Sequence, residues 1–347
     1  MKHTVRQILF PMIALFAGVA AHATHASQFR TGVSDITISD TQGSRDLKGF
    51  VWYPTDETRT KIDHGNKVWQ GIPVAKNAKF SDGQYPLVII SHRMMGHSMN
   101  QAWLAKGLTE QGYIVAAVNH PGTSFFADDE DDRRELWRRP EDVSRIIDVL
   151  VSSPKFAPYI DPNRIFAVGH SLGGMSVFQL VGARYDHQTR RAACQTDPDG
   201  LICDILDRWN IGNTPEDVHH LSQDLRDPRI RGIVSLDMGG AQVFEPASLK
   251  ALAIPSLIYA APAGQVDMDT NSRRLKALIP AEQITYLEPE GYTHFDFMGL
   301  CTEKGLEILK KYEPQDVEVC INGRDVRATK HEKILDEITD FFETLPN

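Results

Sequence analysis

Short apolar runs bounded by turn residues recur along the chain. Six of them have the length of strands: 87–91, 114–118, 164–169, 230–236, 256–261 and 283–287. Because these runs are continuous rather than alternating, they are typical of strands buried on both faces of a mostly parallel sheet. Two earlier segments, 29–38 and 47–53, are expected to form antiparallel strands at the edge of that sheet.

Helical periodicity lies between these runs. One helix is predicted from apolar residues that share a single helix face, namely Val143, Ile146, Ile147, Leu150 and Val151. The last helix carries a similar stripe from Ile334 to Phe342, with Thr329 and Glu332 at capping-box spacing before it. His331 is expected on the solvated face of that helix. The alternation predicts an α/β fold with a mostly parallel central sheet flanked by helices.

One long segment, residues 183–229, interrupts the alternation. It contains an apolar helical stripe made of Leu201, Ile202, Ile205, Leu206 and Trp209. A connection of this length with its own helix is usually functional or a small subdomain. We interpret it as a helical lid insertion over the active site, with Trp209 and Ile205 as substrate-binding residues. The alternative is a decoration packed away from the site.

The first 26 residues have the pattern of a signal peptide, which leaves residues 27–347 as one α/β domain. Lys2 and Arg6 precede an apolar stretch that is short for a membrane span, and small residues at 21–26 offer cleavage sites. The sequence therefore predicts a periplasmic or secreted protein with no stable membrane span. An uncleaved membrane anchor is the alternative.

The four cysteines fit an exported protein with disulfide bonds. We predict local pairing, Cys194 with Cys203 and Cys301 with Cys320, because each pair brackets one loop-like segment. Free buried thiols are the alternative. The cysteines lack the spacing of a zinc site, and the acidic run 128–132 lacks the spacing of a calcium loop. No metal and no cofactor are therefore predicted.

The strongest chemical signal is the run Gly-His-Ser-Leu-Gly-Gly at 169–174, which follows an apolar strand and precedes a helical run. That is the strand–turn–helix setting of a Gly-x-Ser-x-Gly nucleophile elbow. The turn lifts the serine above the sheet at the positive end of a helix, and small residues beside it let strand and helix approach. The run predicts the α/β-hydrolase fold, with Ser171 as the nucleophile.

A serine hydroxyl needs a base, and the base needs an acid to orient it. In this fold the chain order is serine, acid, histidine. His294 directly follows the last predicted strand and is the expected base. The acid has two candidates, Asp237 at the end of the strand 230–236 and Asp267 after the strand 256–261. Asp237 is favoured because it ends its strand and has an apolar flank that would bury it.

The oxyanion hole requires two backbone N–H groups. One is expected from Leu172, directly after the nucleophile, and the other from Met94 in the loop that follows the strand 87–91. His92, in the same loop, is expected to have a structural role.

Several of these segments together resemble the platelet-activating-factor acetylhydrolase and bacterial dienelactone-hydrolase-like branch of the α/β hydrolases. The segments are the elbow, 91–92, 112–120 and 236–238, and the resemblance runs from about residue 49 to 296. It implies Asp237 as the acid and Met94 in the oxyanion loop. True dienelactone hydrolases use a cysteine nucleophile where this chain has Ser171. The stretch 93–95 also departs from the Gly-x-Gly that is usual in the acetylhydrolases.

The sequence thus predicts a serine hydrolase that cleaves carboxylic esters, short-chain or lipid-like, through an acyl-enzyme. An amidase or peptidase and a lactone hydrolase with the same triad are the enzymatic alternatives, and a catalytically dead binding protein is the non-enzymatic one. The expected partner is a small ester or amide. A formal net charge of −9 argues against a nucleic-acid partner, which would require a basic surface. The oligomeric state is left open.

Overall fold

The computed structural model describes residues 28–41, 43, 45–198 and 200–346. The predicted signal peptide lies outside the described residues. Ten strands are found in the described part of the chain: β1 Arg30–Ile38, β2 Leu47–Thr55, β3 Lys61–Asp63, β4 Ile72–Lys76, β5 Tyr85–Ser91, β6 Ile114–Asn119, β7 Ile160–His170, β8 Ile230–Leu236, β9 Ser256–Tyr259 and β10 Ile284–Leu287.

These strands form one sheet in the order β10-β9-β8-β7-β5-β6-β2-β1-β4-β3. The strands from β5 to β10 are parallel to their neighbours among themselves, whereas β2 is antiparallel to both β1 and β6. Since β5, β7 and β8 are adjacent and parallel, their carboxyl ends meet at one edge of the sheet, where ligands bind in open α/β folds.

Helices cover both faces of this sheet. The α-helices of the described chain are α1 Ala102–Glu110, α2 Glu130–Arg134, α3 Arg138–Ser152, α4 Leu172–Gln179, α5 His187–Thr196, α6 Leu201–Arg208, α7 Pro215–Leu221, α8 Pro246–Lys250, α9 Ser272–Leu278, α10 Gly305–Tyr312 and α11 Arg324–Thr344. Successive residues of β5 alternate between two buried clusters: Leu87 and Ile89 pack with α3 and α4, while Val88 and Ile90 pack with α1 and α11. The fold class predicted from the alternation is confirmed.

The outer edge of the sheet differs from the prediction. The segments predicted as edge strands form β1 and β2, but β4 pairs with β1 and β3 pairs with β4 beyond them. The sequence pattern did not predict the hairpin formed by β3 and β4, because β3 is three exposed residues and β4 is five residues that include Pro73.

The last helix also differs from the prediction at its start. It begins at Arg324, before the proposed cap, and the Thr329 hydroxyl donates to the Asp325 carbonyl within the helix. His331 is buried and not solvated, because its ring stacks on Trp103 with the centroids 3.6 Å apart.

Both predicted disulfides are present. Cys194 pairs with Cys203 between α5 and α6, and Cys301 pairs with Cys320 after the last strand. Within the residues that the structure describes, no helix is long and apolar enough to cross a membrane.

Candidate active site

Ser171 occupies the sharp turn between β7 and α4. Its backbone has φ 56° and ψ −120°, a strained conformation for a residue with a side chain. A Cβ atom at Gly169 would lie 2.1 Å from the Gly173 carbonyl oxygen, and one at Gly173 would lie 2.0 Å from the Ser91 carbonyl oxygen. Because only glycine fits at both positions, strand and helix approach backbone to backbone. The turn leaves Ser171 half-exposed at the N-terminus of α4.

His294 meets Asp237 at this edge of the sheet. The Nδ1 atom of His294 lies 2.6 Å from the Oδ2 atom of Asp237, and the other carboxylate oxygen accepts the Ala261 backbone N–H at 3.0 Å. The carboxylate is fully buried, whereas the His294 side chain is 13% exposed. This geometry holds the proton on Nδ1 and leaves Nε2 free to accept another.

Asp267 has a different role. Its Oδ1 atom accepts the backbone N–H and the hydroxyl of Thr270, at 2.8 Å and 2.6 Å, as in an ordinary turn cap. The side chain lies on an exposed loop. The structure therefore brings Asp237 to His294, and Asp267 stays with its own turn.

The residue before Ser171 supports the loop that carries His294. The His170 Nε2 atom donates to the His294 carbonyl at 2.8 Å, while its Nδ1 atom accepts from the Gln101 amide at 3.2 Å. Burial lowers the pKa of His170 well below its usual value, so the ring stays neutral. Sequence reasoning did not identify this contact because the second position of the elbow motif carries no rule for its side chain.

The loop after β5 is held by His92. The Nε2 atom of His92 accepts the His120 backbone N–H at 3.1 Å, so the proton is on Nδ1, which donates to the Arg93 carbonyl at 2.7 Å. In a trans peptide the C=O and the next N–H point in opposite directions. The bond from His92 therefore fixes the direction of the Met94 N–H. Burial keeps the pKa of His92 well below its usual value.

Arg139 links this loop to α4, the helix that follows Ser171. Its guanidinium is buried and donates to the Ser91 hydroxyl at 3.1 Å, the His92 carbonyl at 2.5 Å and the Ser176 hydroxyl on α4 at 3.0 Å. Burial lowers its pKa to about 9, although the nearby Asp142 carboxylate acts in the opposite direction. Arg139 lies in the first turn of α3, far along the chain from the loop, so the sequence offered no local signal for this contact.

The 183–229 insertion lies next to the segment that follows Asp237. The Ile202 Cδ1 atom is 3.6 Å from the position that a Cβ atom at Gly239 would occupy. Trp209 is half-buried and its ring faces the Arg133 guanidinium, 5.3 Å away. Ile205 is also half-buried. These positions put the start of α6 close to the site, and the substrate-binding role of Trp209 and Ile205 stays a prediction.

Residues of the acidic run 128–132 cap a helix and form ion pairs within the fold. The Asp129 side chain caps α2 by accepting the backbone N–H groups of Asp131 and Asp132. The Asp132 carboxylate pairs with Arg45 at 3.0 Å, and Asp128 pairs with Arg133. Most of the run therefore already has partners in the protein.

Comparison with known proteins adds to this geometry. A family model described as serine aminopeptidase, S33 matches residues 84–196, about a third of the chain. Dipeptidyl-peptidase 5 of Porphyromonas gingivalis is 33% identical over 146 residues, which are 38% of this chain and 19% of that protein. Platelet-activating factor acetylhydrolase of Cavia porcellus is 24% identical over 169 residues, which are 37% of this chain and 38% of that one. The matches thus span well under half of either relative.

The whole chain is similar to a solved structure. A ferulic acid esterase from Streptomyces cinnamoneus superposes with a TM-score of 0.61 at 19% identity, over 94% of this chain and 92% of that one. At this identity the likeness shows the fold. The chain has the α/β-hydrolase fold, and the match to an acetylhydrolase agrees with the predicted resemblance at the level of that fold. The relatives are named as peptidase, acetylhydrolase and esterase, so their names do not agree on one substrate.

Proposed function

We propose that the protein is a serine hydrolase that cleaves carboxylic esters through an acyl-enzyme on Ser171. The observation that carries the proposal is the contact of 2.6 Å between His294 and the buried Asp237, at the sheet edge that also holds the strained Ser171 turn. A serine is activated by such a histidine and aspartate pair on several unrelated folds.

In the proposed reaction His294 Nε2 removes the proton of the Ser171 hydroxyl as its oxygen attacks the ester carbonyl. Asp237 holds the tautomer of His294 and stabilises the imidazolium that forms. The N–H groups of Leu172 and Met94 stabilise the oxyanion of the tetrahedral intermediate. His294 then gives its proton to the leaving alcohol. The same residues activate a water molecule that hydrolyses the acyl-enzyme and regenerates Ser171.

Residues 183–229 are proposed as a lid, with Trp209 and Ile205 as apolar contacts for the substrate. The closeness of Ile202 to the segment after Asp237 supports this role. Export to the periplasm or the medium is proposed from the N-terminal sequence and the two disulfides.

The nucleophile is tested with the Ser171→Ala variant. We expect loss of covalent labelling by a fluorophosphonate and a fall in kcat of about 10⁴-fold or more, as when a triad member is removed. Parallel assays on p-nitrophenyl esters and anilides separate esterase from amidase activity. Full labelling of the alanine variant would contradict the assignment, and a faster anilide reaction would favour the amidase alternative.

A further inference from the structure

A cavity of about 360 Å³ lies beside the two loops that carry Met94 and His294. Its wall includes His97, which follows Met94 by three residues, and Met298, which follows His294 by four. The aromatic part of the wall consists of His64, Trp69, His97, Trp103 and Phe126. Nothing in the proposed mechanism uses this cavity.

The cavity and the candidate catalytic centre share these loops. Phe126 lies against His97 with the ring centroids 5.3 Å apart, and the preceding residue, Phe125, donates its backbone N–H to the Gly96 carbonyl at 2.9 Å. On the other side the Gly299 N–H donates to the Asn100 carbonyl at 3.1 Å. The oxyanion loop and the histidine loop are thereby joined around the cavity.

Two of the rings in the wall are fixed before any ligand binds. Trp103 stacks on the buried His331 at 3.6 Å and donates its indole N–H to the Phe297 carbonyl at 3.0 Å. The His64 Nε2 atom accepts the indole N–H of Trp52 at 3.1 Å. Because these side chains are already held in place, little conformational entropy is lost when a ligand enters.

Polar atoms in the wall are largely used within the protein. The Asn100 Oδ1 atom accepts the His97 backbone N–H at 2.8 Å, and the Asn66 Oδ1 atom accepts the N–H groups of Val68 and Trp69 at 2.8 Å and 2.9 Å. Ring faces and methionine side chains then make up much of the apolar surface of the wall. This favours a flat apolar ring over a polyhydroxylated ligand.

The charge of the cavity favours a neutral ligand. Burial lowers the pKa of His97 to about 4, and the positive charge of Arg93 acts in the same direction. His97 is therefore uncharged near neutral pH and cannot pair with an anion. Asp63, which also lines the wall, would repel a carboxylate.

We propose that this cavity binds an uncharged aromatic ring carried by the ester substrate, in either its acyl or its alcohol part. The inference rests on the proposed esterase function and names a substrate class for it. It assigns the contacts with that ring to Phe126 and Trp69, in addition to the apolar contacts proposed for Trp209 and Ile205.

The test compares Phe126→Ala with Phe125→Ala as a matched control. Both side chains are exposed, at 59% and 68%, but only Phe126 lines the cavity. The substrates are methyl 2-naphthoate for a ring in the acyl part, 2-naphthyl acetate for a ring in the alcohol part, and ethyl acetate as the reference. Phe126→Ala should lower the kcat/KM of one naphthyl ester relative to ethyl acetate by about fivefold or more, in line with the usual strength of one aromatic contact. Phe125→Ala should leave both ratios unchanged.

A binding measurement separates this inference from the esterase proposal. In the Ser171→Ala protein each naphthyl ester is titrated while tryptophan fluorescence is recorded, and saturable quenching is expected that the added Phe126→Ala change weakens. Binding without turnover by the wild type would contradict the esterase function and leave the cavity assignment standing. Two outcomes would overturn the cavity assignment. In the first, Phe126→Ala hydrolyses the esters with an unchanged kcat/KM of each naphthyl ester relative to ethyl acetate. In the second, only Trp209→Ala lowers that relative kcat/KM.

Discussion

His294 has two acidic residues in a suitable chain order, and the structure brings only one of them to its ring. The sequence favoured Asp237 because that residue ends a strand within an apolar flank, and both features are visible in a linear pattern. It could not show that Asp267 is occupied by Thr270, since that contact depends on the shape of one loop. The position of the residue was predictable, whereas the choice between the two needed geometry.

We expect Asp237→Asn to lower kcat by about 10³-fold or more, because an amide in place of the carboxylate favours the wrong tautomer of His294. Asp267→Asn should change kcat by less than about threefold, since that side chain only caps its turn. Steady-state kinetics on 2-naphthyl acetate measure both, with thermal melts to show that each variant is folded. A larger loss in Asp267→Asn would contradict the assignment of the acid.

At the scale of elements, the histidine loop is supported from the far end of the chain. Asp296, two residues after His294, accepts from the Asn322 amide at 2.9 Å and from Lys330 at 2.7 Å. Arg327 on α11 donates to the carbonyls of Gly299 and Val319 at 2.9 Å and 2.7 Å. The spacing of the cysteines predicted the local disulfides, but it could not show that one of them belongs to this support. That follows from where α11 packs.

The two disulfides should therefore differ in their effect on the reaction. Each closes a short loop, with sequence separations of 9 and 19 residues, and should contribute about 3 kcal/mol to the free energy of unfolding in the chain-entropy model. Replacing Cys301 and Cys320 by serine should lower kcat as well as stability, because the bridge holds the segment between His294 and α11.

The matched control is the double serine variant at Cys194 and Cys203, which should lose stability with a much smaller change in kcat on ethyl acetate. Chemical denaturation gives the stability of each variant and initial rates give kcat. Equal losses of kcat in the two double variants would show that the bridge between Cys301 and Cys320 does not act on the histidine loop.

At the scale of the whole molecule, the central layers were predictable because short apolar runs that are bounded by turn residues and alternate with helical periodicity are typical of buried parallel strands. The hairpin of β3 and β4 at the edge was not predictable, since β3 is short and exposed and is held in place by pairing with β4. The burial of several histidine side chains could not be predicted from the sequence either. His331 has charged neighbours along α11, and only the packing of α11 against α1 shows that its ring is covered by Trp103.

These buried histidines predict how stability depends on pH. Burial lowers the pKa of His120 to about 4 and that of His331 to about 3, while an unfolded histidine titrates near its ordinary value of 6.5. Between those values the unfolded chain binds protons that the folded chain does not. The free energy of unfolding therefore falls as pH falls through this window, by about 1.4 kcal/mol per pH unit for each such histidine. The pKa values of Asp142 and Asp296 are lowered below 3.8 in the fold, so their stabilisation is lost only at lower pH.

We expect urea unfolding midpoints to decrease steeply from pH 6.5 to pH 4.5. His331→Gln keeps an N–H group that can donate to the Asp296 carbonyl, as the histidine does at 2.9 Å, but it cannot take up a proton. Its free energy of unfolding should depend on pH less steeply than that of the wild type, by about 1.4 kcal/mol per pH unit. His219→Gln, at an exposed position on α7, serves as the control and should keep the wild-type slope. An identical slope in all three proteins would mean that His331 is protonated in the folded state at these pH values, and that its contact with Trp103 does not exclude the charged ring.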